Sequence, residues 1–306
     1  MTNRIAIIDL GTNTCNLLIA EYEDQVHQIL FQGKEVVKLG KDGIDKNQLT
    51  EEGLNRAILA IQKHKLRIST FDVSEVVLIA TSAIREATNQ EWFCYEINVK
   101  TGLEITVISG EREAELIFKG VKLAFGEIEN RSLILDIGGG SNEFILTEAG
   151  KPVWKESFPL GMARVIERIP PSDPIKPSEI NQIIAFFEIG LSTLWNQPGN
   201  TEISGLIGCS GAFDTLADLI DQTDPGTKPR IRQEIKIDDF ERIYRMLIES
   251  TTAERTRMKG MESIRIEMIV PSVLFIKLII DRLKIQKIHQ TDYALREGVL
   301  YERIFS

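Results

Sequence analysis

The chain has 306 residues, 43% of them hydrophobic and 26% charged, with a formal net charge of −9, enough for a globular protein with two cores of about 100–200 residues each. The acidic balance disfavours nucleic acid, whose nonspecific capture needs basic side chains to neutralise phosphates. Three cysteines without a C-x-x-C pair and three scattered histidines argue against a disulfide framework or a zinc site, and no apolar run reaches a membrane span of roughly 18 residues. The short run Ile5-Ala-Ile-Ile8 before Asp9 is no signal peptide, so a cytoplasmic protein without membrane contact is expected.

In chain order, residues 4–20 read as an apolar strand, Asp9, a turn holding Gly11 and a second strand. A helix follows at 51–65, with Leu54, Ile58, Ile61 and Leu66 near one face, then strands at 74–80 and 104–108. The helix at 111–125 carries Ala114, Ile117, Phe118, Val121 and Phe125 on a buried stripe. The stretch Leu133-Ile-Leu-Asp-Ile-Gly-Gly-Gly-Ser-Asn-Glu-Phe-Ile-Leu146 then sets one aspartate and three glycines between apolar runs. A Walker loop would need Gly-Lys-Ser/Thr, and a dinucleotide fingerprint would need a following helix and a glycine where Glu143 stands. Strand, turn and strand follow instead, so the glycines sit in a β-hairpin. Its backbone N–H groups can form an anion nest, the alternative being an ordinary turn. Beyond it come a helix at 177–195, a strand at 205–209 ending in Ser210-Gly211, helices at 238–249 and 270–283, a strand at 287–291 and a last helix at 293–304.

The segments at Asp9 and Asp136 share the order of strand, Asp, glycine turn and strand. Each is followed by a further apolar strand and a Leu-Gly pair, Leu39-Gly40 and Leu160-Gly161. This is the pattern of an internal duplication. It predicts two related α/β domains, 1–125 and 126–306, with a cleft between them where both turns grip one ligand.

Six motifs together resemble the exopolyphosphatase and guanosine-pentaphosphate phosphatase family. They are Asp9-Leu-Gly-Thr-Asn-Thr14, Thr81-Ser-Ala-Ile-Arg85, Ile108-Ser-Gly-Glu-Arg-Glu-Ala114, Asp136-Ile-Gly-Gly-Gly-Ser141, Gly208-Cys-Ser-Gly211 and Ala294-Leu-Arg-Glu-Gly298. The resemblance spans nearly the whole chain. It implies two ribonuclease H-like domains of the actin, sugar-kinase and Hsp70 type facing a central cleft, in a short form without the family's C-terminal helical domain. It further implies hydrolysis of a terminal phosphoanhydride, with short polyphosphates favoured over long ones.

By that resemblance Glu113 matches the catalytic base in the Ser-Gly-x-x-Glu-Ala pattern, although the residues themselves do not choose among Glu111, Glu113 and Glu115. These acids could instead complement the helix dipole behind a Ser109 cap. Asp136 and Glu143 are implied to hold Mg²⁺ or order the nucleophile, magnesium preferring hard oxygen ligands; a turn-stabilising Asp and a surface Glu are the plainer alternative. Arg85 would aim a guanidinium at the phosphates, or else form a surface ion pair. Asp9, Gly11, Thr12, Asn13 and Thr14, with Gly138, Gly139, Gly140 and Ser141, would cradle phosphate, and Ser210 and Gly211 would form a third lining turn. Arg255, Arg257 and Lys259 read as a solvated basic loop rather than a polyphosphate track.

Polyphosphate is the expected substrate and guanosine pentaphosphate the alternative, with a homodimer as a possible assembly. A sugar or acetate kinase would need an acceptor pocket and a catalytic Asp. A noncatalytic nucleotide sensor would fit a chain that had lost these acids.

Overall fold

The computed structural model describes residues 2–41, 43, 46–197 and 202–306. The first compact unit comprises 1–123 together with 295–306, and the second 124–294.

The first unit opens with three antiparallel strands, β1 (Asn3–Leu10), β2 (Thr14–Glu23) and β3 (Val26–Val36). Helix α1 (Glu51–Ile68) leads to β4 (Glu75–Ala80), the short α2 (Ser82–Arg85), α3 (Gln90–Thr101), β5 (Ile105–Val107) and α4 (Gly110–Phe125). Strand order is β3-β2-β1-β4-β5, with β4 parallel to β1 and β5 parallel to β4. Thr50 caps α1 by accepting from Gly53 N, and acids in its first turn oppose bases in its last, as the helix dipole favours. Its buried stripe runs Leu54, Ala57, Ala60, Ile61, His64 and Ile68. Leu66, expected on that face, is exposed, because a 3.6-residue period puts His64 and Ile68 there instead. His64 settles inside by hydrogen bonding to the Cys15 carbonyl at 3.0 Å, and burial pushes its pKa down.

The second unit repeats the plan. Strands β6 (Ser132–Ile137), β7 (Asn142–Glu148) and β8 (Lys151–Phe158) form the antiparallel meander. There follow α5 (Met162–Arg168), α6 (Pro177–Gly190), β9 (Gly205–Cys209), α7 (Gly211–Asp221), β10 (Gln233–Ile235), α8 (Ile237–Glu249), α9 (Thr252–Arg255), α10 (Ile269–Leu283) and β11 (Ile288–Thr291). The sheet reads β8-β7-β6-β9-β11, the same order and strand senses as the first, plus β10 antiparallel at the edge. Each unit therefore carries the ribonuclease H-like sheet. Its core gathers Phe144, Phe158, Phe187 and Phe275 from four elements.

The last helix, α11 (Leu295–Ile304), packs on β1 and β2. This corrects the 126–306 domain: residues 295–306 belong with the first unit. Arg255 also departs from expectation. It is buried and spends its guanidinium on the Ser250 and Ile266 carbonyls and Thr252, tying α9 into the unit, while Arg257 and Lys259 are exposed. Among the described residues no helix is long and apolar enough to cross a membrane.

Candidate active site

In the first unit, β1 and β2 are joined through Gly11–Asn13. Gly11 N donates to Thr14 O at 2.9 Å, and Asp9 faces Asn16 across the ladder. Residues 37–40 fold back onto this turn: Val37 and Lys38 N donate to Asn13 O, and Leu39 and Gly40 N to Thr12 O. Because the C=O and N–H of a trans peptide point opposite ways, holding those carbonyls turns the Asn13 and Thr14 N–H groups away from the covering strand. Asn16 Nδ2 donates to Asp9 Oδ2 at 3.3 Å and to Thr14 Oγ1 at 3.1 Å. Burial pushes the Asp9 carboxyl up, while Arg296 and Asn16 draw it down.

The second unit builds the same device more tightly. Gly138 N donates to Ser141 O at 3.0 Å. The start of α5 covers all three glycine carbonyls: Gly161 N donates to Gly140 O at 3.2 Å, Met162 N to Gly138 O at 3.0 Å and Ala163 N to Gly139 O at 2.9 Å. The N–H groups that follow them, of Gly139, Gly140 and Ser141, are thereby turned to the opposite side, as an anion cradle requires. A Cβ on Gly138 would lie 2.5 Å from Ser141 O, and one on Gly161 2.3 Å from Gly139 C. The triple glycine is thus a close backbone approach, not an ordinary turn.

Asp136 and Glu143 are direct cross-strand partners on β6 and β7, so their side chains share one face of the sheet. Glu143 is 2% exposed, and its Oε1 accepts from Ser141 Oγ and Ser157 Oγ, each at 2.7 Å. Two carboxylates set side by side repel unless a cation or donors offset them. The pair suits Mg²⁺, which takes one or two carboxylates and completes its shell with water and phosphate oxygens. Among the described residues no cluster of three or more His, Cys, Asp or Glu could hold a metal; magnesium bound this way needs none.

The structure separates the three glutamates of α4. Ser109 caps the helix, its Oγ accepting from Arg112 N at 3.1 Å. Glu111 is exposed, and Glu115 is spent on Arg112 and Lys119, which hold its pKa down. Glu113 is 7% exposed, and Arg85 Nη1 donates to its Oε2 at 2.7 Å. Arg85, at the end of α2, also donates to the Ile108 carbonyl at 3.2 Å, which fixes its aim. The pairing offsets the cost of burying a carboxylate.

Ser210, at φ 72°, joins β9 to α7, and its hydroxyl bridges the N–H and C=O of Ile137 at the end of β6. Gly211 lies under the Arg265 guanidinium, 1.9 Å from Nη2 to where a Cβ would be. The third turn is thus bound to the second hairpin and roofed by a cation. Sequence reasoning missed Arg265, Ser157 and Arg164. Arg164 Nε donates to Gly140 O at 3.0 Å, bringing a positive charge to the glycine turn. Its signal was position: it stands three residues after Gly161, whose Leu-Gly pair marks the end of the repeat.

A doubled ribonuclease H-like sheet, with a glycine turn of outward N–H groups in each unit, is the architecture of the actin-like class. The chain matches the model of the Ppx/GppA phosphatase family over residues 18–306 and belongs to that family; it is a hydrolase of phosphoanhydride bonds. It is 26% identical over 308 residues to exopolyphosphatase 1 of Mycobacterium tuberculosis, covering 99% of this chain and 89% of that one. A guanosine-5'-triphosphate,3'-diphosphate pyrophosphatase of Vibrio atlanticus is 27% identical over 98% of this chain, which spans 59% of that protein. The chain spans 43% of a bifunctional 3-dehydroquinate synthase/phosphatase of Fusobacterium nucleatum, at 29% identity. The crystal structure of an exopolyphosphatase from Cytophaga hutchinsonii is 34% identical with a TM-score of 0.94, covering 99% of this chain and 98% of that one.

Proposed function

We propose that the protein is a magnesium-dependent exopolyphosphatase that removes the terminal phosphate of inorganic polyphosphate. The observation that carries the reading is the buried Glu113 carboxylate held by Arg85 at 2.7 Å in a Ppx/GppA chain. A hydrolase needs a base for water, and this acid is placed and oriented while its neighbours are engaged elsewhere or exposed.

In the reaction, water attacks the terminal phosphorus as its proton passes to Glu113. The bond from phosphorus to the bridging oxygen breaks, and the shortened chain leaves with the bonding electrons. The outward N–H groups of Gly139, Gly140 and Ser141 suit phosphoryl oxygens, and those of Asn13 and Thr14 form a turn of the same kind in the first unit. Asp136 and Glu143 would hold Mg²⁺, which when bound neutralises charge on the phosphate oxygens. Arg164 and Arg85 add fixed positive charge. Three free cysteines among the described residues support a cytoplasmic setting.

Polyphosphate is favoured over a nucleotide because it asks only for phosphate contacts, whereas a nucleotide also needs a base pocket; over Gly211 the space is filled by the Arg265 guanidinium, beside Glu262 at 3.7 Å. Guanosine pentaphosphate hydrolysis is the second reading, favoured by the Vibrio atlanticus relative. The test is phosphate release with Mg²⁺ and no acceptor, comparing kcat/KM for polyphosphate and guanosine pentaphosphate. A higher value for polyphosphate is expected. Preference for the nucleotide selects the second reading, and turnover only when an acceptor alcohol is added would mark a kinase.

A further inference from the structure

The segment Ala294-Leu-Arg-Glu-Gly298 has no part in the chemistry above, yet the helix it opens packs on β1 and β2 and meets α4, which carries Glu113. Arg296 Nη1 donates to the Leu17 carbonyl on β2, whose ladder partner Ile8 precedes Asp9. A Cβ on Gly298 would fall 1.9 Å from the Leu116 carbonyl of α4, so the two helices meet backbone to backbone three residues beyond Glu113. One turn on, Glu302 receives Arg112 Nη2 at 2.5 Å on one oxygen and Lys119 Nζ at 2.6 Å on the other. Burial alone would raise the Glu302 pKa, but hydrogen bonds from these two bases hold it down. Arg112 and Lys119 flank Glu113 along α4, and both also pair with Glu115. Arg303 separately grips Glu75 at the start of β4 with two nitrogens.

Granted that Glu113 is the base, as proposed above, we infer that Glu302 and Gly298 are positioning residues. They fix the slide and rotation of α4 against the β1–β2 hairpin, and so the aim of Glu113. The Ser109 cap and the Arg85 pair with Glu113 both act at the first turn of α4 and leave the slide of the rest of the helix to its other contacts. Two charged tethers about two helical turns apart, one on either side of Leu116, with a glycine contact between them, remove that freedom. Misplacing a catalytic group by about 1 Å costs turnover far more than binding.

The test compares Glu302→Ala, Glu302→Asp, Arg303→Gln and Glu113→Gln in the full chain, by steady-state kinetics on polyphosphate, pH–rate profiles and thermal melting. Glu302→Ala should lower kcat about 10-fold with KM held within about twofold, and should move the acid limb of kcat/KM. Glu302→Asp should restore part of the loss. Arg303→Gln breaks an ion pair on the same helix that does not reach α4. It should lower the melting temperature comparably while kcat stays within about twofold of wild type. If Glu302→Ala fails to fold, Lys119→Met, which keeps the aliphatic stem and drops one tether, should show the same split to a lesser degree. Wild-type kcat and an unmoved limb in the tether variants, with Glu113→Gln inactive, overturn the positioning role and leave the base in place. Equal kcat losses in Arg303→Gln and Glu302→Ala also overturn it, since the effect would then be general loosening. Full turnover in Glu113→Gln overturns both the base and the positioning role.

Discussion

Asp136 and Glu143 stand opposite each other on β6 and β7, and the equivalent pair in the first unit is Asp9 and Asn16. The duplication therefore gives one hairpin two carboxylates and the other a carboxylate beside an amide. In the proposed reading Mg²⁺ would therefore be held at the second hairpin. Asp136→Asn should raise the Mg²⁺ concentration for half-maximal activity and lower both affinity and turnover. Titrating activity against Mg²⁺ checks this, and an unchanged metal requirement would move the metal elsewhere.

The two glycine turns should respond differently to a methyl group. A Cβ on Gly161 would lie 2.3 Å from Gly139 C and 2.4 Å from Gly140 C, both backbone atoms that cannot step aside. Gly161→Ala should cost about 1–3 kcal/mol of stability, as overpacking does, and disturb the phosphate turn. Gly11→Ala meets only the Thr14 carbonyl at 3.4 Å, an ordinary contact, and should cost less than about 1 kcal/mol. Denaturant unfolding of the two variants measures the difference; equal losses would contradict the backbone contact at Gly161.

Stability should also depend on pH through Asp292. Burial and the facing Asp214 push its carboxyl up to about 6, while the Arg230 N–H and charge and the Gln290 amide draw it down. Gln290 Nε2 donates to both aspartates at 2.8 Å. A raised acid favours the folded state while protonated, so its contribution is full below about pH 4 and is lost as pH rises through about 6. Asp214→Asn removes the repulsion and lowers the Asp292 pKa. The variant should gain on wild type by on the order of 1–2 kcal/mol between pH 5 and 8. Melting curves across that range check it, and a difference independent of pH would contradict it.

Elements with strong periodicity were legible in the sequence, and both glycine hairpins were read from their Asp and glycine pattern. Helix α3 was not: its buried positions, Phe93, Ile97 and Thr101, form a stripe one residue wide, with Tyr95 and Val99 exposed. Helix α7 failed for the opposite reason, being buried almost all round from Gly211 to Leu219, so no polar face marks a period. The pairing of Asp136 with Glu143 is local, the two standing seven residues apart on one hairpin, and so lies within reach of sequence spacing. Where contacts are distant, as between Arg85 and Glu113 or Lys119 and Glu302, the spacing of residues carries no trace of them.

The most direct measurement is the kcat of Glu113→Gln on polyphosphate with saturating Mg²⁺, beside Glu111→Gln. Glutamine keeps the size of the side chain and can still hydrogen bond to Arg85, but it accepts no proton from water. The account predicts a fall in kcat of about 10²–10⁴ with KM retained or lowered. Glu111→Gln, at an exposed position in the first turn, should stay near wild type and lose at most about 1 kcal/mol of stability. Near-full kcat in Glu113→Gln together with inactive Glu111→Gln would contradict the account and move the base to the exposed neighbour.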